Sequence, residues 1–245
     1  MAKYNTEKFE QGLRELGIQL EQRQIDQFLA YYELLVEWNK VMNLTGITEF
    51  DDVVAKHFLD SLSLVKAVDV RQAKKLLDVG TGAGFPGIPL KIAFPHLSVT
   101  LLDSLNKRLK FLNCVIAELQ LTDIVTIHGR AEDFARQKEY REQFDLVVSR
   151  AVANLSTLSE YCLPYTDISG KFISYKSGKI QEELEQAEKA IGLLGGRLKE
   201  DIRFDLVETE GRTLLVIEKQ RRTPKTYPRK AGTPAKEPLG VKKAE

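Results

Sequence analysis

The stretch LLDVGTGAGFPGIPL, residues 76–90, sets Gly80, Gly82 and Gly84 at alternate positions directly after an apolar run. Glycine admits positive φ and lets a ligand approach the main chain, and a strand-to-helix turn alone needs one or two such residues, not three. A dinucleotide fingerprint reads G-x-G-x-x-G. Here the third glycine comes one residue early, Phe85 stands where that pattern wants glycine, and no Gly-Lys-Ser/Thr of a phosphate loop follows. The pattern suits a ligand with no phosphate, carrying an amino acid moiety, a ribose and an adenine, as S-adenosylmethionine does. Asp78, just before the turn, is placed to hold an ammonium group. Asp103, nineteen residues beyond Gly84, is placed to accept bonds from both ribose hydroxyls; the competing reading is a cap for the next helix. Ala131 and Glu132, in HGRAED, fall where adenine would lie, unless Glu132 is an ordinary solvated charge. Arg150 closes the run FDLVVSR. Burying an arginine there costs desolvation, so it has an anion or a base to hold, or else pairs with Asp78 or Asp103.

These residues need a scaffold that brings turn ends together. Residues 7 to about 70 carry apolar positions at three and four spacing, notably Ile25, Phe28, Leu29, Tyr32, Leu35 and Val36, which predicts helices. NLTGIT (43–48) breaks the pattern and a second helical stretch runs over 51–68. Short buried strands are then expected at 74–79, 98–103, 124–129, 144–150 and 170–176, alternating with helices, the last of which stops at Gly195 and Gly196. Alternation predicts a parallel sheet covered on both faces. RFDLVE, TEG and RTLLVIEK close the chain's folded part as a hairpin, so one strand must run antiparallel. Five parallel strands finished by a hairpin are the layout of class I S-adenosylmethionine-dependent methyltransferases, a Rossmann-like α/β fold, here with an N-terminal helical extension. A dinucleotide dehydrogenase would normally keep its sixth strand parallel.

The 245 residues divide in expectation into a helical segment (1–70) packing on the core, a cofactor-binding core (71–222) and a basic, proline-rich tail (223–245). Net charge is +1, unevenly spread: residues 219–245 carry nine basic and two acidic side chains, against an acidic body. A polyanionic partner touched by the tail follows, with Arg221, Arg222, Lys225, Arg229, Lys230 and Lys236 as candidate RNA contacts; a solubilising extension is the bland alternative. Four prolines after Arg222 and no apolar period predict an extended tail, disordered when free. The two cysteines, Cys114 and Cys162, have no metal spacing and suit a reducing compartment. No signal peptide or membrane-length apolar run is present, and a soluble, cytoplasmic monomer with no metal is expected.

Taken together, LLDVGTGAGFPGIPLKIAFPHLSVTLLDSLNKRLKFL, HGRAED, FDLVVSRAVANL and RKAGTPAKEPL, with NLTGI and HFLDS in the leader, resemble the ribosomal RNA small subunit methyltransferase G family, also called glucose-inhibited division protein B. The likeness covers nearly the whole chain. It implies S-adenosylmethionine as cofactor, 16S ribosomal RNA or the small subunit as partner, and methylation of N7 of one guanine in the 530 loop region. It also implies cofactor contacts at Gly80, Phe85, Ala131, Glu132 and Arg150.

The residues agree with that chemistry. Methyl transfer from a sulfonium is an in-line displacement in which positioning supplies most of the catalysis, and guanine N7 offers a free lone pair, so no general base is expected; Arg150 is the nearest candidate for a catalytic role. His57, His96 and His128 all fall away from the end of the fourth strand, and His57 reads first as a packed, hydrogen-bonded side chain. The Asn/Asp-Pro-Pro-aromatic motif used on exocyclic amines is missing, and no cysteine follows a proline in the manner of cytosine C5 enzymes. The alternatives are a non-catalytic RNA-binding protein that keeps the cofactor and a small-molecule or protein methyltransferase on the same fold.

Overall fold

The computed structural model describes residues 4–150, 153–178, 180–207 and 209–240. Seven strands form one sheet in the order β3-β2-β1-β4-β5-β7-β6. They are β1 (Lys75–Val79), β2 (Ser98–Asp103), β3 (Ile124–His128), β4 (Phe144–Ser149), β5 (Thr166–Ser177), β6 (Gly196–Leu206) and β7 (Thr209–Lys219). β1 to β5 pair in parallel and β7 runs antiparallel to both β5 and β6, as the alternation and the closing hairpin predict. The hairpin turns earlier than TEG: Leu206 already faces Thr209, and Gly211, at φ +66°, donates its N–H to Asp205 Oδ1 within β7.

The strand order reverses between β1 and β4, so the ends of those strands splay apart and leave the crevice where ligands settle in open α/β sheets. Glycine serves packing as well as binding there. A Cβ on Gly87, the first residue of the helix Gly87–Ala93, would run into Leu101 Cδ2 on β2, so only glycine lets that helix lie flat on the sheet.

The leader forms the helices Glu7–Glu15 and Gln22–Met42 and a third helical run over 50–66, which widens to π-type turns at Val54–Leu59. Asn43, at φ +47°, ends the second helix, and Asn39 Oδ1 takes the N–H groups of Leu44 and Thr45, which shapes the break read at NLTGIT. These helices join one apolar layer with the sheet face carrying Leu76, Val99 and Leu101. The opposite face, with Leu77, Val147 and Phe172, is covered by the helices Leu155–Cys162 and Gln181–Leu193.

The chain after Arg222 departs from the expected loose tail. Through residue 240 it is tied to the second layer. Lys219, buried to 1% exposure, donates to the carbonyls of Leu163 and Thr166 and to Thr223 Oγ1. Arg141 donates to the carbonyls of Thr223 and Tyr227. Glu160, fully buried, accepts both the main-chain N–H and the guanidinium of Arg229. A low apolar content led to the extended reading, but here polar groups from the body, not apolar burial, fix the segment.

Candidate functional site

The glycine turn is held from below by Asp78. Its Oδ2 accepts from Thr81 Oγ1 at 2.7 Å and from Gly87 N at 2.9 Å, while Oδ1 is buried with no partner. Burial pushes this carboxyl up to about 6, against the hydroxyl and amide bonds that pull it down. The reading of Asp78 as a ligand contact is therefore revised in one respect: the carboxylate sits inside the turn, as its internal pillar. Gly80, Gly82 and Gly84 all have positive φ, +73°, +62° and +99°. Gly80 N and Thr81 N both donate to Leu102 O, stitching the turn to β2. A Cβ on Gly84 would strike Ile88 and the Tyr31 hydroxyl, whereas the Cβ direction at Gly82 is open.

The Asp103 carboxylate is engaged through both oxygens. Oδ1 accepts from Leu105 N at 2.9 Å, just ahead of the helix Asn106–Glu118. Oδ2 accepts from Gly82 N at 2.9 Å and Arg108 Nη1 at 3.1 Å. The same side chain lines a cavity of about 170 Å³ together with Gly80, Ala131, Glu132, Tyr161 and Ala153. That volume lies below the roughly 300 Å³ at the small end of ligand pockets, so by itself it has room for only part of a cofactor. The residues fit S-adenosylmethionine: the carboxylate of Asp103 and the main chain of Gly80 line the cavity, and Arg130 is the one cation among its lining residues. Glu132, 3% exposed, is no solvated charge. Its carboxylate accepts Gly232 N at 2.7 Å, so the tail passes beside the adenine loop.

Phe85 and Arg150 form a separate cluster with the leader. The Phe85 ring is 5% exposed and stacks on His57 with centroids 4.6 Å apart; the Arg150 guanidinium lies over the same ring, 5.0 Å from its centroid. The Phe85 side chain thus builds no wall of the cavity. Arg150 pairs with neither Asp78 nor Asp103. Its Nη1 donates to Asp60 Oδ2 at 2.8 Å and to Lys56 O at 3.0 Å, and its Nη2 meets His57 Nδ1 at 3.3 Å. The same Nδ1 lies 3.1 Å from Lys56 O, and Nε2 lies 2.9 Å from Thr45 Oγ1. Burial first, then the Arg150 charge, bring the His57 pKa down to about 4. An imidazole so engaged is a packed, hydrogen-bonded side chain, as expected.

Of the candidate RNA contacts, Arg222, Lys225, Lys230 and Lys236 are exposed. Arg221 donates to Gly192 O, and Arg229 is committed to Glu160. Lys242 and Lys243 lie outside the described residues. Sequence reasoning assigned no role to Asp60, Arg212, Lys176 or Tyr161. HFLDS contains Asp60, but nothing local marks it as the partner of side chains 90 and 152 positions away.

A family model described as GidB, rRNA small subunit methyltransferase G, matches residues 24–208. A protein of Lachnoclostridium phytofermentans called ribosomal RNA small subunit methyltransferase G is 58% identical over 236 residues, 96% of this chain and 98% of its own. One of the same name from Exiguobacterium sibiricum is 49% identical over 237 residues, 96% of this chain and all of its own. Among solved structures, a mutant of MtNAS in complex with S-adenosylmethionine superposes with a TM-score of 0.53 at 15% identity, over 82% of this chain and 73% of that one. A ribosomal protein L11 methylase from Lactobacillus delbrueckii gives 0.51 at 19% identity, over 68% and 79%. At these identities the structural likeness concerns the fold alone.

Proposed function

We propose a division of labour among the residues of this chain, which belongs to the rRNA small subunit methyltransferase G family and is an S-adenosylmethionine-dependent methyltransferase of 16S ribosomal RNA. Bound S-adenosylmethionine supplies an electrophilic methyl group on a sulfonium. Gly80 and Ala131 admit its nucleoside end, Asp103 accepts from the ribose hydroxyls, and Glu132, held by the tail, shapes the adenine side. Asp78, with its unpartnered buried Oδ1, faces the turn that the amino acid end must follow. Arg150, fixed by Asp60 and Phe85, holds the incoming base against the methyl. The acceptor is N7 of a guanine in the 530 loop region: its lone pair needs no deprotonation, and His57, the imidazole of the Arg150 cluster, is neutral and already bonded.

The observation that supports this reading most directly is the cavity at the ends of β1, β2 and β3, where Gly80, Asp103 and Glu132 meet. The reading assigns no metal; among the described residues no three His, Cys, Asp or Glu side chains gather. Among the described residues no helix is long and apolar enough to cross a membrane. A cytoplasmic monomer is proposed. The test is transfer of labelled methyl from S-adenosylmethionine to naked 16S rRNA and to small subunits, followed by nucleotide mapping. Label recovered as 7-methylguanine in the 530 region is expected. Label on another atom, or none on either substrate, refutes the assignment.

A further inference from the structure

A second hollow, of about 400 Å³, opens beside the first and is lined by Arg150, Asn154, Tyr175, Lys176, Glu183 and Arg212. It lies at the ends of β4 and β5 and the start of β7, and it shares Ala153 with the cofactor cavity. Its charges are built in rather than scattered. Asp60, 1% exposed, stands behind it and serves two arginines: Oδ2 accepts from Arg150 Nη1 at 2.8 Å and Oδ1 from Arg212 Nε at 2.7 Å. Lys176 Nζ donates to Glu183 Oε1 at 2.6 Å and to Ala153 O at 2.9 Å. Three cations therefore face two carboxylates, leaving one positive charge uncompensated within the cluster. Arg212 Nη1 donates to no described residue.

Resting on the reading of the chain as an rRNA methyltransferase, we propose that Arg212 and Lys176 hold a backbone phosphate of the nucleotide being methylated, with Asp60 as the positioning residue that aims the Arg212 fork. A base presented to the methyl group must enter where this hollow meets the cofactor cavity, at Ala153, and its own phosphodiester enters with it. A guanidinium matches a phosphate in shape and charge. Asp60 fixes that guanidinium before RNA arrives, so less side-chain freedom is lost on binding. The surplus charge is matched by the one anion that every RNA substrate carries. The main competitor for the site is the carboxylate of the cofactor itself, and the two differ in their response to salt.

The experiment measures RNA affinity at several salt concentrations, S-adenosylmethionine affinity and melting temperature for wild type, Arg212→Gln, Arg212→Lys and Lys176→Gln. Arg212→Gln is expected to weaken RNA binding roughly tenfold or more at low salt and to flatten the log–log salt slope by about 0.7, the loss of one phosphate contact on single-stranded RNA. Lys176→Gln should flatten it likewise, and Arg212→Lys, which keeps the charge, should preserve the slope. Cofactor affinity should hold throughout. An unchanged slope with a lower melting temperature would make the cluster an internal ion-pair network and sink the proposal. A fall in cofactor affinity with the RNA slope intact would give the site to the cofactor's carboxylate and sink it equally. If Arg212→Gln does not fold, the Lys176→Gln slope decides. Methylation of 16S rRNA by the wild type checks the underlying reading separately, since its failure there would precede any comparison of variants.

Discussion

The Asp60 carboxylate, delivered by the helical leader, lies 2.8 Å from the Arg150 guanidinium at the end of β4. The pair joins two parts of the chain that share no local sequence signal, and it places the leader in contact with Arg150. Arg150 is half surrounded by leader groups: Lys56 O, His57 and Asp60. The leader thus holds Arg150 and Arg212 through Asp60 and packs His57 on Phe85.

Arg150→Ala should therefore lower turnover at saturating RNA more than it lowers RNA affinity. The expected loss is about tenfold or more, on the order of one charge-assisted hydrogen bond. Asp60→Ala leaves two partly buried guanidiniums without their acceptor and should also destabilise the fold, by about 3–5 kcal/mol if it behaves as other broken buried pairs do. Single-turnover rates and denaturant melts measure the two effects. An Arg150→Ala enzyme with the wild-type rate would remove that residue from the reaction.

Asp103 has a structural role and a proposed binding role, and a ligand analogue separates them. Asp103→Ala should weaken S-adenosylmethionine roughly ten- to a hundredfold and also lower the melting temperature, because Gly82 N and Leu105 N lose their acceptor. With a 2′-deoxyribose analogue of the cofactor the wild type should lose affinity and the variant should lose little more. Equal losses in both proteins, read by calorimetry, would leave Asp103 as a cap alone.

At the turn itself, Gly80→Val demands a positive φ of a β-branched residue at the mouth of the cavity. Cofactor binding should be abolished in a protein that still gives a cooperative melt. Retained affinity would show that the turn serves packing and not the ligand.

Two buried groups set opposing pH dependences. Asp78 rises from 3.8 in the unfolded chain to about 6 in the fold, so the folded state binds its proton more tightly, and stability from this group falls as pH climbs from about 4 to about 6. His57 drops from 6.5 to about 4, so the unfolded state binds more protons between those values, and stability from this group rises over nearly the same window. In the wild type the two offset each other. His57→Phe, which keeps a ring against Phe85, should uncover a decline in stability with rising pH between about 4 and about 6, and Asp78→Asn should uncover a rise. Urea melts across that range decide it; identical pH profiles in all three proteins would contradict the assignment.

The sheet was readable because strand and helix periods alternate so regularly from Lys74 onward, and because Gly80, Gly82 and Gly84 announce a ligand turn at the end of β1. Asp103 and Glu132 stand out by position: Asp103 ends β2, and Glu132 lies in the short helix Ala131–Phe134 that follows β3. The unread part depends on chain contacts with no local trace. Asp60 looks like one more polar residue of a helix until β4 and β7 bring Arg150 and Arg212 to it. Phe85 sits inside the most telling motif, yet its ring turns toward the leader and away from the cavity. The tail misled through its composition. Prolines and charges argue against a core, but Lys219, Arg141 and Glu160 in the body present polar groups that bond to the tail.

That docking divides the tail's cations into two kinds, and a charge series distinguishes them. Arg229 is structural: its partner Glu160 is fully buried, so Arg229→Ala should cost about 3–5 kcal/mol of stability by stranding that carboxylate. Lys225, Lys230 and Lys236 are exposed and free to meet phosphate. Their triple replacement by glutamine should flatten the salt slope for single-stranded RNA by about 2, at roughly 0.7 per contact, and leave both melting temperature and cofactor affinity in place. Deleting residues 223–245 should do more than remove charge. It strips Gly232 N from Glu132 and Arg229 from Glu160, so the adenine loop loses its backing and affinity for S-adenosylmethionine should fall along with affinity for RNA. The comparison of triple variant and truncation is the measurement. If the truncated protein binds the cofactor as the wild type does, the tail does not brace the pocket. If the triple variant keeps the wild-type slope, the RNA surface lies elsewhere on the molecule.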